Sequence, residues 1–168
     1  MKKIIFLISA FLAAHSAELP AADDVIGKII IKEGITEKTN LNCQGNDCSS
    51  MVIRKGDRIR TAGDSKVQVM LNDGTGIIIY ERSDIMFNNV ISADKKKPTD
   101  IYTEYGKFKI IQNNNYLETS LVIKTANSMI KTVNSTFCLI AAINESAIFV
   151  YTGEAGFASI EGAIPDAY

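Results

Sequence analysis

The chain contains no tryptophan, a single histidine, three cysteines and three prolines. Each scarcity excludes something. The one histidine, His15, sits in an N-terminal segment that reads as a removable secretory leader, so the mature chain is expected to carry none. Without histidine, Ser-His-Asp and Cys-His nucleophile systems lose their usual general base near neutral pH. The commonest ligand of catalytic zinc goes with it. Without tryptophan, and with tyrosines and phenylalanines spread along the sequence, a sugar-stacking groove has little support. Paired carboxylates or a reactive lysine would still need acid, base and stabiliser gathered in one cleft. The expectation is a non-enzymatic protein with no catalytic residue, no metal and no cofactor.

Long apolar segments are missing beyond the leader as well. Lys2-Lys3, an apolar run from Ile4 to Ala14, and the small residues Ser16 and Ala17 form the three parts of a secretory signal, with cleavage expected near Ser16 or Ala17. The run is well short of the ~20 residues needed to cross a hydrocarbon core, and no later segment reaches that length. A periplasmic or secreted protein without a transmembrane span in its mature chain is expected. Removing Lys2 and Lys3 from 18 basic residues leaves 16 against 19 acidic ones, a net charge near −3. That balance argues against nucleic acid, whose phosphates call for a concentrated basic surface. The remaining length suits one domain with one core.

What is present is a succession of short segments rich in Ile, Val, Thr, Phe and Tyr with no helical period, the pattern of an all-β domain. Lys66 to Leu71 alternates, with Val67, Val69 and Leu71 on one face and Lys66 and Gln68 on the other. Asp73-Gly74 then supplies a hairpin turn, and Ile77 to Tyr80 returns as a strand. Further strands are expected at Ile26–Ile31, Arg58–Thr61, Lys107–Ile111, Leu121–Lys124, Met129–Val133, Phe137–Ile143, Ile148–Tyr151 and Phe157–Ile160. Turns are expected between them, including Gly34, Gly56-Asp57, Arg82-Ser83-Asp84, Tyr105-Gly106, Asn134-Ser135, Asn144-Glu145 and Gly153. The stretch from Ala93 to Asp100 reads as an exposed loop and the sequence beyond Ile160 as a loose tail.

Cys43 and Cys48 enclose Gln44-Gly45-Asn46-Asp47, and in an oxidising compartment they read as a disulfide across a turn. So short a loop would stabilise by only about 2 kcal/mol. A metal or redox pair is the alternative, and a metal would need further ligands. Cys138, inside an apolar strand, reads as a buried small hydrophobe. Arg58 and Arg60 fall on one strand face and Ile59 on the other. The two arginines read as a solvated face or, as the candidate partner-binding residues, as a contact for an anion or carboxylate. Lys95 to Lys97 reads as a solvated loop, and the sequons at Asn134 and Asn144 as chance turns.

The stretch Lys55-Gly56-Asp57-Arg58-Ile59-Arg60-Thr61, followed by Ser65, the alternating strand and Asp73-Gly74-Thr75, resembles the FecR family of bacterial envelope domains, which runs through GD-x-I-x-T, a turn with a serine, a strand and DGT. Thr132 to Phe137 resembles the family's later TxF strand, Ile148 to Ala155 its closing segment, and Ile26 to Ile29 its opening strand. The resemblance implies an all-β domain in the periplasm, solenoid-like or sandwich-like. In the best-known members this domain belongs to a membrane-spanning regulator that receives a signal from an outer-membrane iron-siderophore transporter and controls a sigma factor. The present sequence is expected to lack the cytoplasmic segment, the retained transmembrane helix and the transporter-contacting C-terminal domain.

The expected organisation is a signal peptide over residues 1–17, a twisted β-solenoid-like or β-sandwich domain over 25–160 and a tail over 161–168. The expected function is a non-enzymatic FecR-like binding or signalling module that contacts another envelope protein, with a link to iron-uptake signalling implied by the resemblance. A structural or glycan-binding envelope module is the alternative.

Overall fold

The computed structural model describes residues 25–39, 51–89, 98–112 and 120–160. The leader, the Cys43–Cys48 turn, Lys95 to Lys97 and the tail beyond residue 160 lie outside the described residues. Among the described residues every regular element is a strand: β1 Val25–Glu33, β2 Thr36–Thr39, β3 Val52–Arg54, β4 Arg58–Thr61, β5 Lys66–Leu71, β6 Gly76–Ile79, β7 Ser83–Asn89, β8 Thr99–Ile111, β9 Ser120–Lys124, β10 Ser128–Ala141 and β11 Ser146–Ser159.

Where the alternation is strong, local sequence and structure agree. In β5, Val67 and Val69 are fully buried and Leu71 nearly so, while Lys66, Gln68 and Met70 face outward. β5 and β6 pair antiparallel with Val69 opposite Ile77. Their turn is closed by Gly74, at φ 84°, whose amide donates to the Leu71 carbonyl at 3.0 Å, and by the Thr75 amide donating to Asp73 Oδ1 at 2.9 Å. The Gly56-Asp57 turn between β3 and β4 is built similarly. Gly56 has φ 83°, and the buried Asp57 carboxylate accepts from the Arg54 amide at 2.8 Å.

The three longest strands organise the whole. The first part of β8 pairs with β7 on one side and, in parallel, with β9 on the other, whereas its second part pairs with β6 and β10. β10 likewise pairs first with β9 and then with β8, and β11 follows it along its whole length. One layer therefore runs β3-β1-β5-β6 into the later half of β8 and β10. The other runs β2-β4-β7 into the earlier half of β8, then β9 and the earlier half of β10. The result is one curled, almost wholly antiparallel sheet, a half-barrel folded over a single core.

The side chains record the crossing from layer to layer. In β8 the buried positions are Thr99, Ile101 and Thr103, then Phe108 and Ile110; in β10 they are Ser128, Ile130 and Thr132, then Ser135, Phe137, Leu139 and Ala141. Each strand changes phase once, as expected where a strand bends from one sheet face to another. Gly106, at φ 137°, makes the bend in β8, where a Cβ would come within 2.5 Å of the Ser83 side chain. Asn134, at φ 49°, makes it in β10. At the second bend Gln112 Oε1 accepts from the Thr132 hydroxyl at 2.7 Å, and Ser135 Oγ donates to the Glu154 carbonyl at 2.6 Å. These buried bonds satisfy polar groups that the broken ladder would otherwise strand.

Four expectations need correction. Tyr105-Gly106, Asn134-Ser135 and Gly153 are bends within continuous strands: β10 and β11 bend together and stay paired on both sides of the bend, while β8 exchanges β7 and β9 for β6 and β10 as it passes Gly106. Thr99 and Asp100 belong to β8 and not to a loop; Thr99 is buried, and Asp100 accepts from Lys124 Nζ at 2.9 Å. Arg82, at φ 49°, stands in the expected turn, but Ser83 and Asp84 already belong to β7; β7, β2 and β3 are not evident from the sequence because short or weakly alternating strands carry little periodic signal. Cys138 is half-buried on the outer face, since the core positions beside it are Phe137 and Leu139.

Candidate interaction surface

The β4–β7 register places Arg58 opposite Met86, Ile59 opposite Ile85 and Arg60 opposite Asp84. Ile59 is fully buried, so both arginines face outward, as the alternation predicts. There they converge on one carboxylate. Arg58 donates through Nε and Nη2 to the two oxygens of Asp84 at 2.6 and 2.7 Å, and through Nη2 to Glu104 at 3.1 Å. Arg60 Nε donates to Asp84 Oδ2 at 2.8 Å. Asp84 is only 3% exposed at its side chain, against 46% for Arg60. The hydrogen bond to Asp84 raises the Arg58 pKa against the opposing effect of burial, with Glu104 adding to it. Burial, reinforced by the Glu104 charge, raises the Tyr102 phenol pKa in the same neighbourhood.

This network ties β4, β7 and β8 together and holds two cations against two anions. It brings Arg58 and Arg60 together as expected and adds Asp84 and Glu104, which the sequence reading did not connect to them. No periodic signal links the second residue of β7 to arginines 24 and 26 positions earlier. Tertiary pairing alone does so.

The second surface feature is β11. Among the described residues it pairs only with β10, so one long side of it is a free sheet edge there. Residues directly opposite in an antiparallel pair share a face. Ile148 and Val150, opposite Leu139 and Phe137, thus point to the inner face, as do Ala155 and Phe157, opposite Thr132 and Ile130. Phe149, opposite Cys138, points outward, and the Tyr151 hydroxyl donates to Cys138 Sγ at 3.4 Å. Lys109 Nζ lies 5.8 Å from the centre of the Tyr151 ring. Most of β11 is uncovered on both faces: Phe149 is 54%, Tyr151 62% and Phe157 48% exposed. Ile140 and Met129 of β10 extend the patch. Between Ser146 and Ser159 the only charge is Glu154. Contiguous exposed apolar surface on an unpaired edge marks an interaction site.

An open cleft of about 440 Å³ lies elsewhere, lined by Glu33, Asp64, Lys66, Tyr80, Arg82 and Lys107 among others. Its carboxylates are interleaved with cations, and Lys66 pairs with Glu33 at 3.3 Å. Among the described residues no cluster of His, Cys, Asp and Glu could hold a metal ion, and no helix is long and apolar enough to cross a membrane.

Comparison with known families gives a match to a family described as FecR protein, over residues 57–156. The matched span begins at the Asp57 turn and ends within β11, so it includes both the arginine network and most of the exposed edge. No curated protein matches the chain. The residues that carry the motif hold the fold: Asp57 closes a turn, Thr61 Oγ1 donates to the Tyr80 carbonyl at 2.6 Å, and Ser65 Oγ accepts from the Ile35 amide at 2.9 Å.

Proposed function

The chain belongs to the FecR family, and on that premise we propose that it is a non-enzymatic signalling module of the bacterial envelope, exported by its N-terminal leader, that contacts another envelope protein. The observation that carries this reading is the outer surface of β10 and β11, where Ile140, Phe149 and Tyr151 are exposed on rigid strands of a family-matched domain. Exposed aromatics on a rigid scaffold suit protein recognition, because they supply large contact area at small entropic cost. Arg60, fixed by Asp84 yet half-exposed, is proposed with Arg58 as a polar contact at a second point of the sheet. The link to iron uptake follows the family's best-known members and is part of the proposal.

Affinity capture from envelope extracts tests it. The exported chain is expected to enrich one envelope protein, and the double variant Phe149→Asp, Tyr151→Asp to lose it while staying folded. Repeated failure to enrich any protein, together with retention on purified peptidoglycan or polysaccharide, would overturn the reading in favour of a glycan-binding module. The mass of the exported protein reports on the leader, with cleavage near Ser16 or Ala17 expected.

A further inference from the structure

The free edge of β11 poses a separate question from its outer face. Natural sheets protect long edges with charges, prolines or very short strands. β11 has fourteen residues, one charge and no proline. It is also bent. The inward-facing positions are Ile148 and Val150 before the bend and Ala155 and Phe157 after it, so the phase of alternation reverses around Thr152-Gly153. Gly153, at φ 80°, has no room for a Cβ against the Asn134 carbonyl and Ser135. A straight strand from another protein could follow one half of this edge and would diverge from the other.

A second copy of the same strand has the matching bend. Antiparallel pairing about a two-fold axis at Thr152-Gly153 superimposes the two reversals, so inner residues meet inner residues along the whole edge. Ile148 of one copy then lies opposite Phe157 of the other, and Val150 opposite Ala155. On the outer face Phe149 lies opposite Gly156, where the ring can cover the bare backbone, and Tyr151 lies opposite Glu154. The single carboxylate of each copy thereby faces a phenol and not its own counterpart. The contact is isologous and closes on itself, leaving no further free edge at this end of the sheet.

We propose that β11 is a homodimerisation edge, which joins two copies of this chain into one continuous sheet. The proposal rests on the reading of the β10–β11 surface as a contact region, and it divides that surface: the edge takes a second copy, and the outer face with Ile140, Phe149 and Tyr151 stays available to the envelope partner.

Light scattering coupled to sedimentation, on the exported chain over roughly 1–100 µM, reads the oligomeric state directly, since a dimer's population depends on concentration. Twice the chain mass is expected. Val150→Lys, which points a lysine inward at the edge, should weaken association at least tenfold while circular dichroism stays that of the wild type. In a Cys138→Ser background, mixing Ile148→Cys chains with Phe157→Cys chains should give an oxidised cross-linked dimer that neither variant forms alone, because opposite Cα atoms in such a ladder stand ~5 Å apart. This second test holds even if the lysine variant fails to fold. A monomer at every concentration overturns the proposal, as does a dimer in which Ile148→Cys cross-links to itself. A monomer that captures an envelope protein, with capture lost in Val150→Lys, assigns the edge to a foreign strand; that overturns the dimer and leaves the signalling reading standing. A dimer that captures no envelope protein does the reverse.

Discussion

The two ends of the curled sheet differ sharply in how they meet solvent. At one end the edges are β2 and β3, of four and three residues. β2 reads Thr-Glu-Lys-Thr, and its Lys38 side chain reaches over to donate to the Val52 carbonyl of β3 at 2.7 Å and to pair with Asp57 at 3.3 Å. Short length and charge leave little template for another strand. At the other end β11 offers fourteen residues and one charge. Both ends contain β-forming residues, so propensity does not separate them. The contrast lies in whether the exposed side is closed to pairing, and among the described residues only the β11 end is open.

The largest expected effect lies in the closed interior against which both edges are judged. Phe108, buried just beyond the bend in β8, should cost about 3–5 kcal/mol when replaced by alanine, read as a fall in the urea midpoint. Phe157→Ser on the open edge, half-exposed and measured on the monomer at concentrations too low for edge-to-edge association, should cost only about 1 kcal/mol or less. Similar losses for the two would mean that β11 is covered and the comparison is wrong.

Next in size is the arginine network near the closed end. Asp84→Ala leaves Arg58 and Arg60 facing each other without their shared carboxylate. Breaking a buried pair typically costs 3–5 kcal/mol, and the partial exposure of both arginines brings the expectation to about 2–4 kcal/mol. Arg60→Ala, at the more exposed position, should cost well under half as much by the same denaturation assay.

Gly153→Ala sharpens the account of the open edge. Its positive φ and the contact with the Asn134 carbonyl predict a loss of about 1–3 kcal/mol. Gly156, also in β11 but with ordinary φ and only an ordinary van der Waals contact with the Lys131 carbonyl at 3.7 Å, should accept alanine at about 1 kcal/mol or less, or with a gain. Equal costs at the two positions would remove the bend from the argument.

The smallest effect is a pH dependence. The Tyr102 phenol is raised above its ordinary 10.0, chiefly by burial, so the folded chain holds this proton to higher pH than the unfolded one. Its contribution is fully present below pH 10 and is lost as pH climbs through the raised value. Tyr102→Phe should flatten the decline of thermal midpoint above pH 10 without altering stability at pH 7.

Much of the fold is legible in the sequence. β4 and β5 fall on their expected residues, and the Asp73-Gly74 and Asn144-Glu145 turns stand where composition put them. The placement of Ile59 inside and both arginines outside follows from period two alone. The failures share a cause. Gly106, Asn134 and Gly153 look like chain reversals because glycine and asparagine tolerate positive φ, yet the same backbone freedom also bends a strand that goes on. Local sequence does not distinguish these outcomes, since the difference is whether partner strands stand beyond the bend to pair with the chain as it goes on. Asp84 was invisible as the hub of the arginine network for a related reason: register across three strands puts it there.

By itself, then, the sequence determined what each short segment is: a strand with one apolar face, a turn with the residues that tolerate it, and a motif whose side chains close those turns. These are properties of neighbours a few residues apart, set by sterics and by which face avoids water. The tertiary structure decided which strands run on through their bends, which carboxylate two arginines share, and that β11 is left with an open side. Those depend on pairings between residues far apart in the chain, where many registers satisfy the same local pattern and only burial of one common core selects among them.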